Sequence, residues 1–290
     1  MNKYSHAAFA ALLSCLTLSV GAQSFYAVRK ERSLIATLGS GTANYFGELV
    51  NPRQLGKTRY NLVLGAEYYF TNRISGRAEL TYFRIAGDDA LANDDRIERN
   101  LSFFSGNIEL STVGTINLLP HGARFYQRPK FNVFGFFGVG LLYMNPKARR
   151  QNGEIVALQP LQTEGIRYSR FQPVIPYGIG IKYMVDPFFN IIVETGYRKT
   201  FTDYLDDISS ERYPDPSSLR SDLSRELSDR RRERDPDYPI LPGVGKRGNP
   251  EKKDSYILMN IKVQYYLPYQ FSQNQHKLYN RKRKYYYKRR

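Results

Sequence analysis

A period-two alternation of apolar and polar residues recurs in eight segments, at about 33–44, 60–70, 73–86, 101–117, 131–145, 172–185, 188–202 and 254–267. Successive side chains of a strand point to opposite faces, so this pattern predicts strands that separate two different media. In 60–70, Tyr60, Leu62, Leu64, Ala66, Tyr68 and Phe70 share one face, and Asn61, Val63, Gly65 and Glu67 share the other. In 254–267, Ile257, Met259, Ile261, Val263, Tyr265 and Leu267 oppose Tyr256, Asn260, Lys262 and Gln264. In 73–86, Ile74, Ala78, Leu80 and Tyr82 face away from Arg77 and Glu79.

The medium on the apolar side follows from the rest of the composition. Mean hydropathy is only −0.52, and beyond the N-terminus no stretch is apolar long enough for a membrane helix. A membrane barrel keeps such an average, because only alternate residues of its strands face lipid. Of 24 tyrosines and 17 phenylalanines, Tyr60, Tyr82, Tyr143 and Tyr197 fall at one set of strand ends. Tyr68, Phe70, Tyr183, Phe189 and Tyr265 fall at the other, as two interfacial girdles require. A soluble β-protein or lipocalin-like barrel has no reason to sort its rings so. The connections 71–72, 118–130 and 186–187 are short, except the second; 45–59, 87–100, 146–171 and 203–253 are long. With the mature N-terminus in the periplasm, short turns face inward and long loops outward. The expected fold is an all-β, eight-stranded, antiparallel, up-and-down transmembrane β-barrel.

Carried through each strand, the alternation turns Glu67, Glu79, Glu109 and Glu194 inward with Arg77, Lys182, Arg198 and Lys262. Eight strands enclose room for side chains only, and buried charges are tolerated when paired. These eight residues are therefore expected to form a structural ion-pair network that fills the lumen. Gly138, Gly140, Gly178 and Gly180 are expected to make space for the longer side chains. Neither Gly138-Val139-Gly140 nor Gly178-Ile179-Gly180 has the third glycine and following helix of a nucleotide loop.

Residues 1–22 read as a cleaved secretory signal. Lys3 begins it, Ala7 to Val20 is apolar, and Val20-Gly21-Ala22 is a small-residue cleavage site that leaves Gln23 first. Cys15 lies inside this segment; the apolar run continues past it, which disfavours an acylated cysteine. The mature chain then has no thiolate site. Its histidines, His121 and His276, have no carboxylate and nucleophile on a strand rim to work with, so no catalytic residue, metal site or cofactor is assigned.

The domain plan is a signal peptide over 1–22, a barrel over 23–267 whose 203–253 loop is the longest, and a tail over 268–290. Asp88, Asp89, Asp94 and Asp95 crowd one outward loop, and Asp203, Asp206 and Asp207 another. The default expectation is solvated acidic loops, with calcium or bridging to lipopolysaccharide phosphates as the alternatives. Residues 217–235 alternate in charge, as a solvent-exposed helix would, and the 203–253 loop is expected either to lack order or to cap the barrel. The tail carries Lys277, Arg281, Lys282, Arg283, Lys284, Lys288, Arg289 and Arg290 and no acid after residue 277, which is half of the chain's formal +16. In the periplasm such charge suits an acidic protein surface or anionic headgroups, or is merely solvated; nucleic acid is not an expected partner.

Several stretches resemble the PorG-like outer-membrane β-barrel family of the Bacteroidetes type IX secretion system. They are Gly39–Leu49 (GSGTANYFGEL), Thr81–Asp89 (TYFRIAGDD), Phe137–Gly140 with Asn145–Ala148, and Pro160–Gly165 (PLQTEG). The most specific is Gly196–Ser209 (GYRKTFTDYLDDIS), which contains Tyr197, Arg198, Thr202, Asp203, Tyr204, Asp206 and Asp207. The similarity runs from about 33 to 267 and does not include the basic tail or 217–235. It implies a non-catalytic component of a protein-export machine, which anchors a periplasmic ring lipoprotein and its partner to the outer membrane and in some species serves gliding motility. The 118–130 turn and the tail are the expected docking surfaces. The reading from another class is a general structural or adhesive barrel that works through its outer loops.

Overall fold

The computed structural model describes residues 32–49, 58–91, 97–122, 124–239 and 243–268. The signal segment, Asp94, Asp95 and the charged tail 277–290 lie outside the described residues.

Eight long strands close into one antiparallel barrel. They are β1 (Leu34–Phe46), β2 (Arg59–Tyr69), β3 (Ile74–Asp88), β4 (Ser102–Asn117), β5 (Phe131–Tyr143), β8 (Phe171–Met184), β9 (Phe189–Thr200) and β10 (Ser255–Tyr266). Each pairs with the next of this set, and β1 pairs with β10 to complete the circle. Between β5 and β8 lies a short hairpin of β6 (Pro146–Arg149) and β7 (Ile155–Ala157). Within the 146–171 connection expected to be a loop, β6 carries the sheet past the end of β5 by pairing with Phe104 and Ser105 of β4.

Two short connections are fixed by side chains. Thr71 Oγ1 accepts from the Arg73 and Ile74 amides at 3.2 and 2.9 Å. Asp186 Oδ1 accepts from the Phe188 and Phe189 amides at 2.6 and 2.8 Å. Such local bonds satisfy backbone donors where the ladder ends. Pro176, inside β8, has no N–H to donate, and the β5–β8 ladder skips the neighbouring positions between Tyr177 and Val174.

The two faces differ as the alternation requires. Leu38, Leu64, Ile116, Phe137, Val139, Ile179 and Ile261 are all at least 60 % exposed on the outside. A continuous apolar band of this extent on a closed barrel is the surface of a membrane-spanning protein. Rings border it at both ends. Tyr60 lies against Tyr82, Tyr143 against Phe171 and Tyr177 against Tyr197 at the long-loop end. Tyr68 lies against Phe70, and Phe189 against Tyr265, at the short-turn end.

The strands outrun the apolar band at the long-loop end, and their inward residues there become apolar. Ala43, Tyr45, Phe83, Ile85, Phe103, Leu142, Tyr256 and Leu258 pack with Leu49, Leu158, Tyr168, Leu205, Ile208 and Leu227 of the loops. The long connections thus form a folded cap with its own core. Of the expected 217–235 helix, only α1 (Asp222–Ser228) is α-helical. Ser221 Oγ caps it by accepting from the Ser224 amide, and it ends at Asp229. Arg231–Glu233 is a 3-10 turn. The segment is not solvent-exposed throughout, because Leu227, Ser228, Arg230 and Arg231 are buried in the cap and their guanidinium groups are paired with Glu233 and Asp229.

Candidate functional site

The lumen is filled by side chains from every side of the barrel. Glu67, Arg77, Glu79, Glu109, Lys182, Glu194, Arg198 and Lys262 are all buried there, none more than 5 % exposed. At mid-height Lys262 Nζ sits 2.5 Å from Glu79 Oε1 and 2.6 Å from Glu194 Oε1. Arg77 closes the same quartet, with Nε 3.2 Å from Glu79 and Nη1 2.8 Å from Glu194. Toward the short turns, Lys182 Nζ lies 3.3 Å from Glu67 and donates to the Tyr69 hydroxyl. Glu67 also accepts from Ser75 and Gln264. Toward the cap, Arg198 Nε lies 3.5 Å from Glu109, which accepts from the Tyr256 hydroxyl at 2.6 Å. Every layer carries as many cations as anions, so no net charge is left in the low-dielectric interior.

Space for these chains comes from Gly180 among the expected glycines, and from Gly39 and Gly65, which were not expected. A Cβ on Gly180 would press on Glu194 as well as on the Phe134 ring, one on Gly39 would strike Lys262 and the backbone beside it, and one on Gly65 would press on Glu79. Gly178 gives room to the ring of Phe136. The Arg77 guanidinium lies over both rings, at 5.1 and 5.8 Å from their centres. Gly138 and Gly140 sit against β4 and Val174, not against the charged chains. Alternation alone assigns a glycine to the inside but does not say which neighbour needs its space.

The short-turn mouth is closed by the 118–130 connection. Arg128 reaches under the barrel and donates to the Phe125, Asp186 and Pro187 carbonyls at 2.8–3.0 Å and to Asn190 Oδ1 at 2.9 Å. Its guanidinium lies over the Tyr266 ring at 4.4 Å. Phe125 packs on Phe188 and Tyr266. His121 packs at a tilt against Tyr69; burial first, then Lys182 and Arg128, push its pKa down to about 4, so it is neutral. Leu118, Leu119, Arg124 and Lys130 of this connection are exposed. Replacing Arg128 by Ala is expected to cost about 2–3 kcal/mol, because it strips a charged donor from several buried carbonyls. Hydrogen exchange should then speed up in 118–130 and at Asp186–Phe189, and not in β1 to β3.

The long-loop mouth is closed by the cap, and here the acidic segments behave differently from expectation. Asp89, Asp203, Asp206 and Asp207 are buried, not solvated. Asp89 accepts with both carboxylate oxygens from one edge of Arg99, from Nε at 2.6 Å and Nη2 at 2.7 Å. Asp207 accepts from Thr163 and, at 2.5 Å, from the Tyr168 hydroxyl; burial holds its pKa up at about 6. Glu164 accepts from the Ser209 and Ser210 amides and lies 3.2 Å from Arg247. The motif 196–209 therefore divides by position. Tyr197 belongs to the aromatic rim, Arg198 to the lumen, and Thr202 to Ser209 to the floor of the cap. Asp206 meets Asp254 there, across the hydroxyl of Tyr45, at 2.8 and 2.7 Å. Glu48 and Asp254 were not singled out in the sequence, since nothing in their local pattern shows that two loop ends meet.

No protein-family model matches the chain, and no curated relative does. Among solved structures it is similar to the attachment invasion locus protein Ail of Yersinia pestis in complex with the heparin analogue sucrose octasulfate. Identity is 11 %, coverage 81 % of this chain and 98 % of that one, and TM-score 0.39. It is also similar to the outer membrane protein OprG of Pseudomonas aeruginosa, at 11 % identity, 83 % and 100 % coverage and TM-score 0.39. Neisserial surface protein A matches at 8 % identity, 81 % and 97 % coverage and TM-score 0.40.

Proposed function

We propose that this protein is a non-catalytic outer-membrane anchor of a type IX secretion machine, which holds a periplasmic ring lipoprotein and its partner at the membrane. The observation that carries the reading is the closure of the barrel. Charge-paired side chains fill the lumen, Arg128 and Phe125 block one mouth, and the cap blocks the other. A barrel so filled offers no path to cargo, so its use lies in its surfaces. The apolar band and its two aromatic rims support residence in an outer membrane with the short turns in the periplasm. The exposed Leu118, Leu119, Arg124 and Lys130 of the 118–130 turn are one candidate docking surface, and the basic tail 277–290 is a separate one. The resemblance of 33–267 to the PorG-like family supplies the machine.

A photo-crosslinking residue at Leu119 or Arg124 in the native strain tests this. The reading expects adducts with the ring lipoprotein and its partner, and a clean deletion that loses ring assembly and secretion of cargo with the C-terminal signal. Normal secretion and intact rings in the deletion strain would contradict it. Crosslinks only from the cap, to extracellular material, would favour the adhesive reading instead.

A further inference from the structure

The arginines of the cap are neutralised one by one. Arg99, Arg150, Arg230, Arg231 and Arg247 each pair with a carboxylate. Arg84 is different. It is exposed on the outward file of β3, above Leu80 of the apolar band and Tyr82 of the aromatic rim. Two residues beyond Tyr82 is about 7 Å along a strand. Tyrosine rings mark the headgroup level of a bilayer, so Arg84 stands where lipid phosphates do.

Its guanidinium is also held in place. Nε donates to the Tyr82 hydroxyl at 3.0 Å, and the group lies over the Tyr60 ring, 5.4 Å from its centre. The β2–β3 register, with Asn61 opposite Phe83, brings Tyr60 to that place. One of the five N–H donors of the side chain is thereby used. Nη1 and Nη2 form no hydrogen bond or ion pair among the described residues. The next acid on the same file, Asp88, is four residues on, about 13 Å along the strand, and accepts from the Ala90 amide. A planar fork with both Nη groups open, fixed by two rings, is prepared for a bidentate oxyanion.

We propose that Arg84, positioned by Tyr60 and Tyr82, binds a phosphate of an outer-leaflet glycolipid of the lipid A class. A lipid fits better than a soluble anion, because the surface below Arg84 is apolar. An acyl chain can lie along the exposed Leu62 and Leu80 while its headgroup meets the guanidinium. A phosphomonoester fits better than a phosphodiester, because it offers three oxygens and about two charges near neutral pH. This site rests on the outward placement of the long loops in the reading above and is independent of the secretion role.

The test refolds the full mature chain into phosphatidylcholine vesicles that contain a minor share of lipid A or of phosphatidylglycerol. A photo-crosslinking residue replaces Ala86, on the same outward file, and the lipid adducts are identified by mass. Lipid A is expected about tenfold above its share of the vesicle lipid, the scale of one charge-assisted contact. Arg84→Gln should return it to its share, with the barrel still migrating as folded on unheated gels. Lys199→Gln removes an equal charge two residues beyond Tyr197, on the opposite side of the barrel, and should leave the enrichment nearly unchanged. Adducts in proportion to the vesicle composition with Arg84 in place would overturn the proposal. Equal losses from both substitutions would overturn it too, by leaving only a general attraction of surface charge. Equal enrichment of phosphatidylglycerol would overturn the choice of lipid. Secretion and ring assembly do not enter these measurements, so failure here and failure of the export role are told apart.

Discussion

Lys262→Met is expected to destabilise the barrel by about 3–5 kcal/mol, the scale for removing one partner of a buried ion pair. Lys262 is fully buried and touches both Glu79 and Glu194. Without it, two carboxylates share the single positive charge of Arg77, in a space that Gly39 leaves open for the lysine stem and nothing else. The loss should appear as a lower urea midpoint for refolding into vesicles, with the slope unchanged. Adding Glu194→Gln should recover a large part of it, because the quartet is then neutral again. Single and double variants equal to the parent would mean that the layer is not closed as described.

The second large effect is on the opposite face. Ile261→Arg, one residue away, should cost about 2–4 kcal/mol in a lipid bilayer, the scale for arginine at the midplane of a barrel's lipid face. Ile261 is 63 % exposed and pairs with Ser40 and Val193 midway along their strands. Tyr60→Arg lies at the rim, where the same charge reaches headgroups and should cost about 1 kcal/mol or less. A depth-independent penalty, or none at either site, would place the apolar band outside lipid.

These two neighbours show what was legible in the sequence and what was not. Parity along a strand assigns Lys262 to the lumen and Ile261 to the outside, because a strand repeats every two residues whatever surrounds it. The same rule separates Glu67 from Tyr68 and Arg77 from Ala78. It does not say that Lys262 meets Glu79 and Glu194, since partners in a barrel are chosen by strand tilt and stagger across the lumen, and Arg77 reaches β9 from β3. The loops follow no period at all. Asp203, Asp206 and Asp207 look like a solvated acidic run by composition. They are buried because the loop carries Leu205 between them and Ile208 directly after them, and these join the core of Phe83, Phe103 and Tyr256. The charge alternation of 217–235 misled in the same way: Arg230 and Arg231 are buried in the cap and paired there, and the helix has already ended at Asp229. Arg128 gave no signal beyond the unusual length of its turn.

A lumen packed with charge-paired side chains leaves no continuous aqueous path, and conductance of the purified full-length barrel in a planar bilayer measures that directly. A silent membrane at moderate voltage is expected, with open events emerging only when Lys262→Met breaks the central layer. A steady, sizeable conductance from the unaltered chain would contradict the filled interior and, with it, the inference that this protein works through its surfaces.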